Sequence, residues 1–85
     1  MYRVLIERAA ERALARLSRE LHGRIITAIQ GLAENPRPHG CRKLTGSQND
    51  WRIRVGDYRV IYEIADEIRI VRVHRVRHRR DIYRR

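Results

Sequence analysis

The chain has 85 residues, 42% of them hydrophobic, and a formal net charge of +10 at pH 7. A chain of this length is expected to form one domain, over residues 1–85, with a modest core. It has no apolar stretch long enough to cross a membrane and no apolar block typical of a secretory signal. Its single cysteine, Cys41, cannot form an internal disulfide, which fits a reducing cytoplasm.

The positive charge predicts an anionic partner. Lys43 is the only lysine among the 20 basic residues. An excess this large is typical of proteins that bind nucleic acid, an anionic membrane surface or an acidic protein. The arginines on the predicted helices are interpreted as solvent-exposed surface charge; they are Arg8, Arg12, Arg16, Arg19 and Arg24. We therefore expect the functional charge in the C-terminal half.

The N-terminal half predicts one strand and two helices. Residues 2–6 are apolar and β-branched, which favours a strand. Apolar residues at helical spacing predict a helix over residues 7–17. Ser18 is the expected N-cap of a second helix, which Pro36 ends because proline lacks the backbone N–H that a helix needs.

Turn signals divide the C-terminal half into three strands. They are predicted over residues 51–55, 58–65 and 68–75, with turns at Gly56-Asp57 and Asp66-Glu67, after a loop over 39–50 that can include a short irregular strand. The adjacent apolar residues Ile70 and Val71 indicate either a strand buried on both faces or a bulge. The fold class is therefore α+β, in the order β-α-α-β-β-β, with both helices on one face of an antiparallel sheet. We expect the first strand to pair with the last one.

The other face of this sheet is expected to carry arginines. Arg52 and Arg54 alternate with apolar residues in the first hairpin strand, so the strand has one apolar and one cationic face. In the next strand, Arg59 lies on the face opposite to that of the apolar residues Tyr58, Val60, Tyr62 and Ile64. A basic tail follows residue 75. Guanidinium groups match phosphate oxygens in charge and geometry, so this face suits a phosphodiester backbone.

The motifs of the C-terminal half resemble a known toxin superfamily. Leu44-Thr45-Gly46, the run from Trp51 to Tyr62 with its Gly-Asp-Tyr-Arg-Val-Ile-Tyr hairpin, and His78-Arg79 with Tyr83 are similar to the RelE branch of the RelE/ParE toxins. The resemblance covers nearly the whole chain. These toxins belong to type II toxin–antitoxin modules. RelE-like members cleave mRNA in the ribosomal A site, whereas ParE-like members share the fold and poison DNA gyrase.

The resemblance also implies which residues act. By position, the catalytic candidates are Arg52, Arg54, Arg59, His78, Arg79 and Tyr83, and the RNA-binding candidates are Arg42, Lys43, Arg75, Arg77 and Arg80. The spacing from Arg79 to Tyr83 is shorter than in some members, so Arg77 or Arg80 is an alternative for the role of Arg79. Arg52 and Arg54 stand where many members have lysines, and an arginine does not give up its proton.

The chemistry implied is RNA cleavage without a metal. The 2′-OH of RNA is the nucleophile, so the protein has to supply a proton acceptor, charge stabilisation at phosphorus and a proton for the leaving 5′-oxygen. Arginines would supply the charge, and Tyr83 or His78 would transfer protons, with acid and base left open. The sequence offers no cluster of metal ligands, so we expect no metal or other cofactor.

The implied partners are a RelB-like antitoxin, the ribosome and mRNA. DNA would be contacted only indirectly, through the antitoxin, and no membrane is expected, so the predicted location is the cytoplasm. Three functions stay open at this point. They are a ribosome-dependent endoribonuclease, a ParE-like gyrase inhibitor without nuclease chemistry, and a decayed toxin that acts as a co-repressor with its antitoxin.

Overall fold

The structure, a computed structural model, describes the backbone of residues 1–82 and the side chains of residues 1–80. Its elements are β1 (Arg3–Ile6), α1 (Arg8–Ala15), α2 (Arg19–Gly31), β2 (Arg42–Lys43), β3 (Asp50–Val55), β4 (Tyr58–Ala65), β5 (Ile70–His78) and α3 (Arg79–Ile82). The predicted α+β class and element order are confirmed. Two short elements complete the fold: β2 lies in the loop over 39–50, where the sequence allowed a short strand, and α3 follows the last strand without having been predicted. None of the helices in the described part is both long and apolar enough to cross a membrane.

The strands form one mixed sheet in the order β1-β5-β4-β3-β2. The first strand pairs with the last, as expected, and this pairing is parallel. The other neighbours are antiparallel. β5 starts and ends later than the predicted strand over residues 68–75, so Val76, Arg77 and His78 belong to the sheet rather than to a tail. The sheet therefore holds Arg77 and His78 in place, whereas the sequence predicted them in a C-terminal tail.

A β-bulge at His74 explains why β5 was hard to delimit. Tyr62 pairs with Val73 and Ile61 pairs with Arg75, so His74 has no partner in β4. The extra residue shifts the alternation, and Val73 and Val76 both point into the core. The irregularity thus lies at His74. At Ile70 and Val71, where the sequence allowed either a bulge or a strand buried on both faces, β5 pairs regularly with both β1 and β4.

The helices pack on one sheet face and bury the core there. Its buried residues are Ala10, Leu14, Ile25, Ile29 and Leu32 from the helical half, and Ile53, Val60, Tyr62, Ile64, Val71, Val73 and Val76 from the sheet. Burial of these apolar side chains is the main stabilising contribution. Ser18 caps α2 as predicted, accepting a hydrogen bond of 3.3 Å from the backbone N–H of Leu21. The Tyr62 hydroxyl donates to the carbonyl oxygen of Pro36 at 2.7 Å, which joins the sheet to the segment after α2.

The tight β3–β4 turn sets the geometry of the opposite face. Gly56 adopts a φ of +59°, a conformation that glycine reaches without a Cβ clash. The hairpin register then places Arg54 opposite Arg59. Directly paired residues of antiparallel strands lie on the same face, so the turn brings these two guanidinium groups together.

Candidate functional site

A row of arginines crosses the sheet face that the helices leave open. Arg54 of β3 pairs with Arg59 of β4, which pairs with Arg77 of β5. We call this open surface, with the arginines of residues 42–80 that it carries, the arginine face. Like charges held opposite each other repel, so such a row is unfavourable unless an anion binds to it.

At the end of this row lies a hollow of about 480 Å³, the turn hollow. It is lined by Arg54, Gly56, Asp57, Tyr58, Arg59, Arg79 and Arg80. Arg79 and Arg80 come from the start of α3, which is held to the hairpin because the backbone N–H of Arg79 donates to the carbonyl oxygen of Asp57 at 2.7 Å. Four arginines from three separate elements therefore line one space. The predicted residues Arg54, Arg59 and Arg79 are brought together here.

Arg52 lies in a second row and is the one buried charged side chain of the described residues, with 7% exposure. With Arg59, Arg75 and Arg77 it borders a shallow hollow of about 310 Å³ that also includes Leu44 and Ile61. Burial lowers the pKa of the Arg52 guanidinium, and the nearby Arg54, Arg59 and Arg42 lower it further. In the described part of the chain the arginines that pair with carboxylates are Arg37 and Arg72. Arg52 is thus a buried cation that lacks a counter-ion there.

The far end of the open face has the opposite character. The His74 ring nitrogen Nδ1 lies 2.9 Å from a Glu7 carboxylate oxygen, and its Nε2 lies 3.7 Å from Asp50. Arg72 pairs with Glu63 at 3.3 Å. The hydrogen bond with His74 lowers the pKa of Glu7. His74 and Arg72 at this end already lie against carboxylates, so a polyanion on the sheet is directed toward the arginines around the two hollows.

The structure does not bring His78 into either hollow. Its ring packs edge-on against Tyr58, with ring centroids 5.1 Å apart and an interplanar angle of 87°. Nδ1 of His78 accepts a hydrogen bond of 3.1 Å from the backbone N–H of Arg80, as a helix cap does. Tyr83, the other predicted proton-transfer residue, lies outside the described residues.

The two residues of β2 lie on opposite faces of the sheet edge. Arg42 pairs with Arg52 and so belongs to the arginine face. Lys43 pairs with Trp51, which packs against the core, so Lys43 points to the helix side. Both are exposed. Their role in RNA binding stays a prediction, and the structure groups only Arg42 with the other candidates.

Sequence reasoning missed several residues that line the hollows. Asp57 and Tyr58 line the turn hollow beside the arginines. Tyr58 also packs against the core, which is the role the sequence suggested for it. The signal was present in the hairpin register, because the two-residue turn Gly56-Asp57 is only one residue away from both Arg54 and Arg59 and so lies beside their side chains.

Metal ligands are not grouped in the described part of the chain. Among the side chains of residues 1–80, no three or more His, Cys, Asp and Glu residues lie where they could hold a metal ion.

Comparisons with known proteins place this geometry in a family. The model of a family described as the ParE toxin of the type II toxin–antitoxin system parDE matches residues 4–83. No curated protein matches the chain in sequence. Among solved structures, a chain of the archaeal RelE–RelB complex from Pyrococcus horikoshii OT3 is 29% identical, with 92% of this chain and 94% of that chain covered and a TM-score of 0.83.

Two further structures resemble the chain. A chain of the RelBE2 toxin–antitoxin complex from Mycobacterium tuberculosis is 26% identical, with 91% of this chain and 96% of that chain covered and a TM-score of 0.80. The isolated E. coli RelE toxin, 22% identical, shares the fold over 92% of this chain and 84% of its own, with a TM-score of 0.80. The chain therefore belongs to the ParE toxin family of type II toxin–antitoxin systems and, by its structure, to the RelE branch of the RelE/ParE superfamily.

Proposed function

We propose that this toxin is a metal-independent endoribonuclease that cuts mRNA on the ribosome and so arrests translation. The observation that carries the proposal is the turn hollow, where Arg54, Arg59, Arg79 and Arg80 surround one space of about 480 Å³. Guanidinium groups bind phosphate oxygens through charge-assisted hydrogen bonds, often in pairs. Four of them in one hollow suit a phosphodiester that gains negative charge as it reacts.

The reaction proceeds by attack of the RNA's own 2′-oxygen. The 2′-oxygen forms a bond to phosphorus as its proton passes to a base, and the bond from phosphorus to the 5′-oxygen breaks as that oxygen takes up a proton. The products are a 2′,3′-cyclic phosphate and a 5′-hydroxyl. Arg54, Arg59 and Arg79 stabilise the additional negative charge in the transition state. Loss of one such preorganised donor typically lowers the rate by on the order of a hundredfold.

We assign proton transfer to Tyr83 rather than to His78. The His78 ring lies outside the turn hollow, and its Nδ1 is engaged by the backbone of Arg80. A group that transfers a proton has to come within hydrogen-bonding reach of the reacting oxygen. Tyr83 follows Arg79 and Arg80 closely in sequence, so it belongs to the segment that supplies two of the hollow's arginines.

The proposed partners are a RelB-like antitoxin, the ribosome and mRNA in the cytoplasm. Similar structures include RelE–RelB complexes, which supports a cognate antitoxin for this chain. An acidic antitoxin segment would cover the arginine face, and opposite charge would speed the encounter. Arg42, Arg52, Arg75 and Arg77 would contact RNA phosphates along the same face. Contact with DNA would be indirect, through the antitoxin.

The proposal is tested by mapping cuts in mRNA bound to ribosomes. The wild-type toxin is expected to cut within the A-site codon, and Arg79→Ala and Tyr83→Phe are expected to abolish growth arrest. Arg79 is exposed, so its side chain can be removed without opening the core. Arg8→Ala, on the exposed surface of α1, is the matched control and should remain toxic. Full toxicity of both site variants would refute the assignment.

The second candidate is a ParE-like inhibitor of DNA gyrase. It is favoured by one observation, the ParE name of the family model that matches residues 4–83. The same strains separate the two functions. Gyrase-dependent DNA breaks with intact mRNA would support inhibition, whereas cut mRNA with intact DNA supports the nuclease.

A further inference from the structure

A third hollow lies directly across the β3–β4 turn from the turn hollow. It has a volume of about 350 Å³ and is lined by Leu21, Arg24, Gly56, Asp57, Tyr58 and His78. The two hollows share Gly56, Asp57 and Tyr58. The turn therefore forms the wall between the two hollows. Four arginines line the turn hollow on one side, and Arg24 of α2 and His78 line the third hollow on the other.

Arg24 is exposed, as the sequence predicted, and its guanidinium group also lies against this wall. Two of its guanidinium nitrogens, Nη2 and Nη1, lie 3.7 and 3.9 Å from the point where a Cβ on Gly56 would be. The sequence suggested plain surface charge for Arg24. Arg37 and Arg72 are the arginines that pair with carboxylates among the described residues, so Arg24 keeps its donors available.

His78 supplies a second donor to the same hollow. Because its Nδ1 accepts a hydrogen bond from the Arg80 backbone, the ring proton is on Nε2. No hydrogen-bond partner for that Nε2 is found among the residues that the structure describes. The ring is held at right angles to Tyr58, which limits its rotation. Asp57 is the one carboxylate in the lining, and it faces four arginines on the other side as well.

We propose that Arg24 and His78 bind a second phosphate of the RNA strand whose scissile phosphate occupies the turn hollow. The proposal rests on the proposed function, since it assumes that an RNA strand lies there. Phosphates recur at every nucleotide, so a strand that crosses the turn brings one to each side of the wall. Contacts to phosphates set the register of a nucleic acid, and Arg24 and His78 are therefore positioning residues.

The first test measures binding of a single-stranded 2′-O-methyl RNA, which lacks the nucleophile and is not cut. Fluorescence anisotropy is recorded over a range of salt concentrations for wild type, Arg24→Gln and the control Arg19→Gln. Arg19 lies on the exposed surface of the same helix and lines neither hollow. Loss of one phosphate contact should reduce the slope of log K against log salt by about 0.7 in Arg24→Gln alone.

Two substitutions separate the cap from phosphate binding at His78. His78→Asn keeps a side-chain acceptor for the Arg80 N–H and lacks the distant donor. We expect it to fold like wild type and to bind the RNA more weakly. His78→Gln places an amide donor farther out and lacks the near acceptor, and it should bind RNA better than His78→Asn. Equal RNA affinity of wild type and His78→Asn would show that the ring only caps α3.

Cleavage of ribosome-bound mRNA by the same proteins keeps the two proposals apart. If wild type cuts mRNA but Arg24→Gln matches Arg19→Gln in affinity and salt slope, the second phosphate site is wrong and the nuclease stands. If wild type does not cut mRNA but Arg24→Gln still reduces the slope, the nuclease is wrong and the site stands. No measurable binding of the RNA by wild type would overturn the site.

Discussion

Replacing Arg52 with methionine is predicted to stabilise the fold while weakening RNA binding. The side chain is 7% exposed, and no carboxylate in the described part of the chain forms an ion pair with it. Burial and the repulsion from Arg54, Arg59 and Arg42 lower its pKa, which means that the folded state disfavours the charged form. Methionine fills a similar volume and carries no charge.

The magnitude follows from the sheet geometry. Side chains that share a sheet face in neighbouring positions lie about 5–7 Å apart near the backbone. At about 7 Å and an effective dielectric constant of about 40–80, two like charges repel by about 0.6–1.2 kcal/mol. Three neighbours give about 2–4 kcal/mol at low salt, and a Debye length of about 8 Å reduces this to about 1 kcal/mol at physiological ionic strength.

Urea unfolding at low and physiological salt measures this gain in the free energy of unfolding. Arg52→Met should be more stable than wild type, and its advantage should shrink as salt is added. Arg52→Lys keeps the charge and should show no comparable gain. Destabilisation of Arg52→Met at every salt concentration would contradict this prediction, because the packing of the guanidinium would then outweigh its repulsion.

Three further predictions concern stability. Tyr62→Phe removes the buried donor to the Pro36 carbonyl and should lower the free energy of unfolding, measured by urea titration, by about 1–2 kcal/mol. An unchanged free energy of unfolding would mean that water replaces the hydroxyl. Arg69→Gly should raise the melting temperature, because Arg69 has a φ of 54° and relieving this left-handed strain is worth about 1 kcal/mol; a lower melting temperature would contradict this. The hydrogen bonds from Arg37 and Tyr2 lower the pKa of Asp66 to about 2, below its value in the unfolded chain. The charged Asp66 therefore stabilises the folded state, fully above the unfolded pKa of about 4, and this contribution is lost as the pH falls toward 2. Wild type should therefore lose more stability between these pH values than Asp66→Asn, and parallel pH profiles would show that the pair contributes nothing.

The sequence allowed prediction of the hairpin that carries the site. A two-residue turn with glycine joins two alternating strands, and this pattern fixes which residues share a face. The placement of Arg54 beside Arg59 follows from that register alone. Arg79 of α3 was also predicted to join them. That expectation came from the family resemblance, since no local sequence pattern links Arg79 to the hairpin turn.

Other features depended on tertiary packing that local patterns do not report. The bulge at His74 interrupts the alternation, so Arg77 was expected in a tail although it pairs with Arg59 in the sheet. β2 spans only two residues, too few for a periodic signal. The burial of Arg52 and the position of Arg24 against Gly56 depend on side chains from other elements.

The chemistry of the cut ends tests most directly whether these arginines support attack by the RNA's own 2′-oxygen. Ribosomes carrying an unmodified mRNA are incubated with the toxin, alongside ribosomes whose mRNA is 2′-O-methylated at the cut position. We expect fragments that end in a 2′,3′-cyclic phosphate and a 5′-hydroxyl, and no cutting of the methylated message. Fragments with 3′-hydroxyl and 5′-phosphate ends, or equal cutting of both messages, would contradict it.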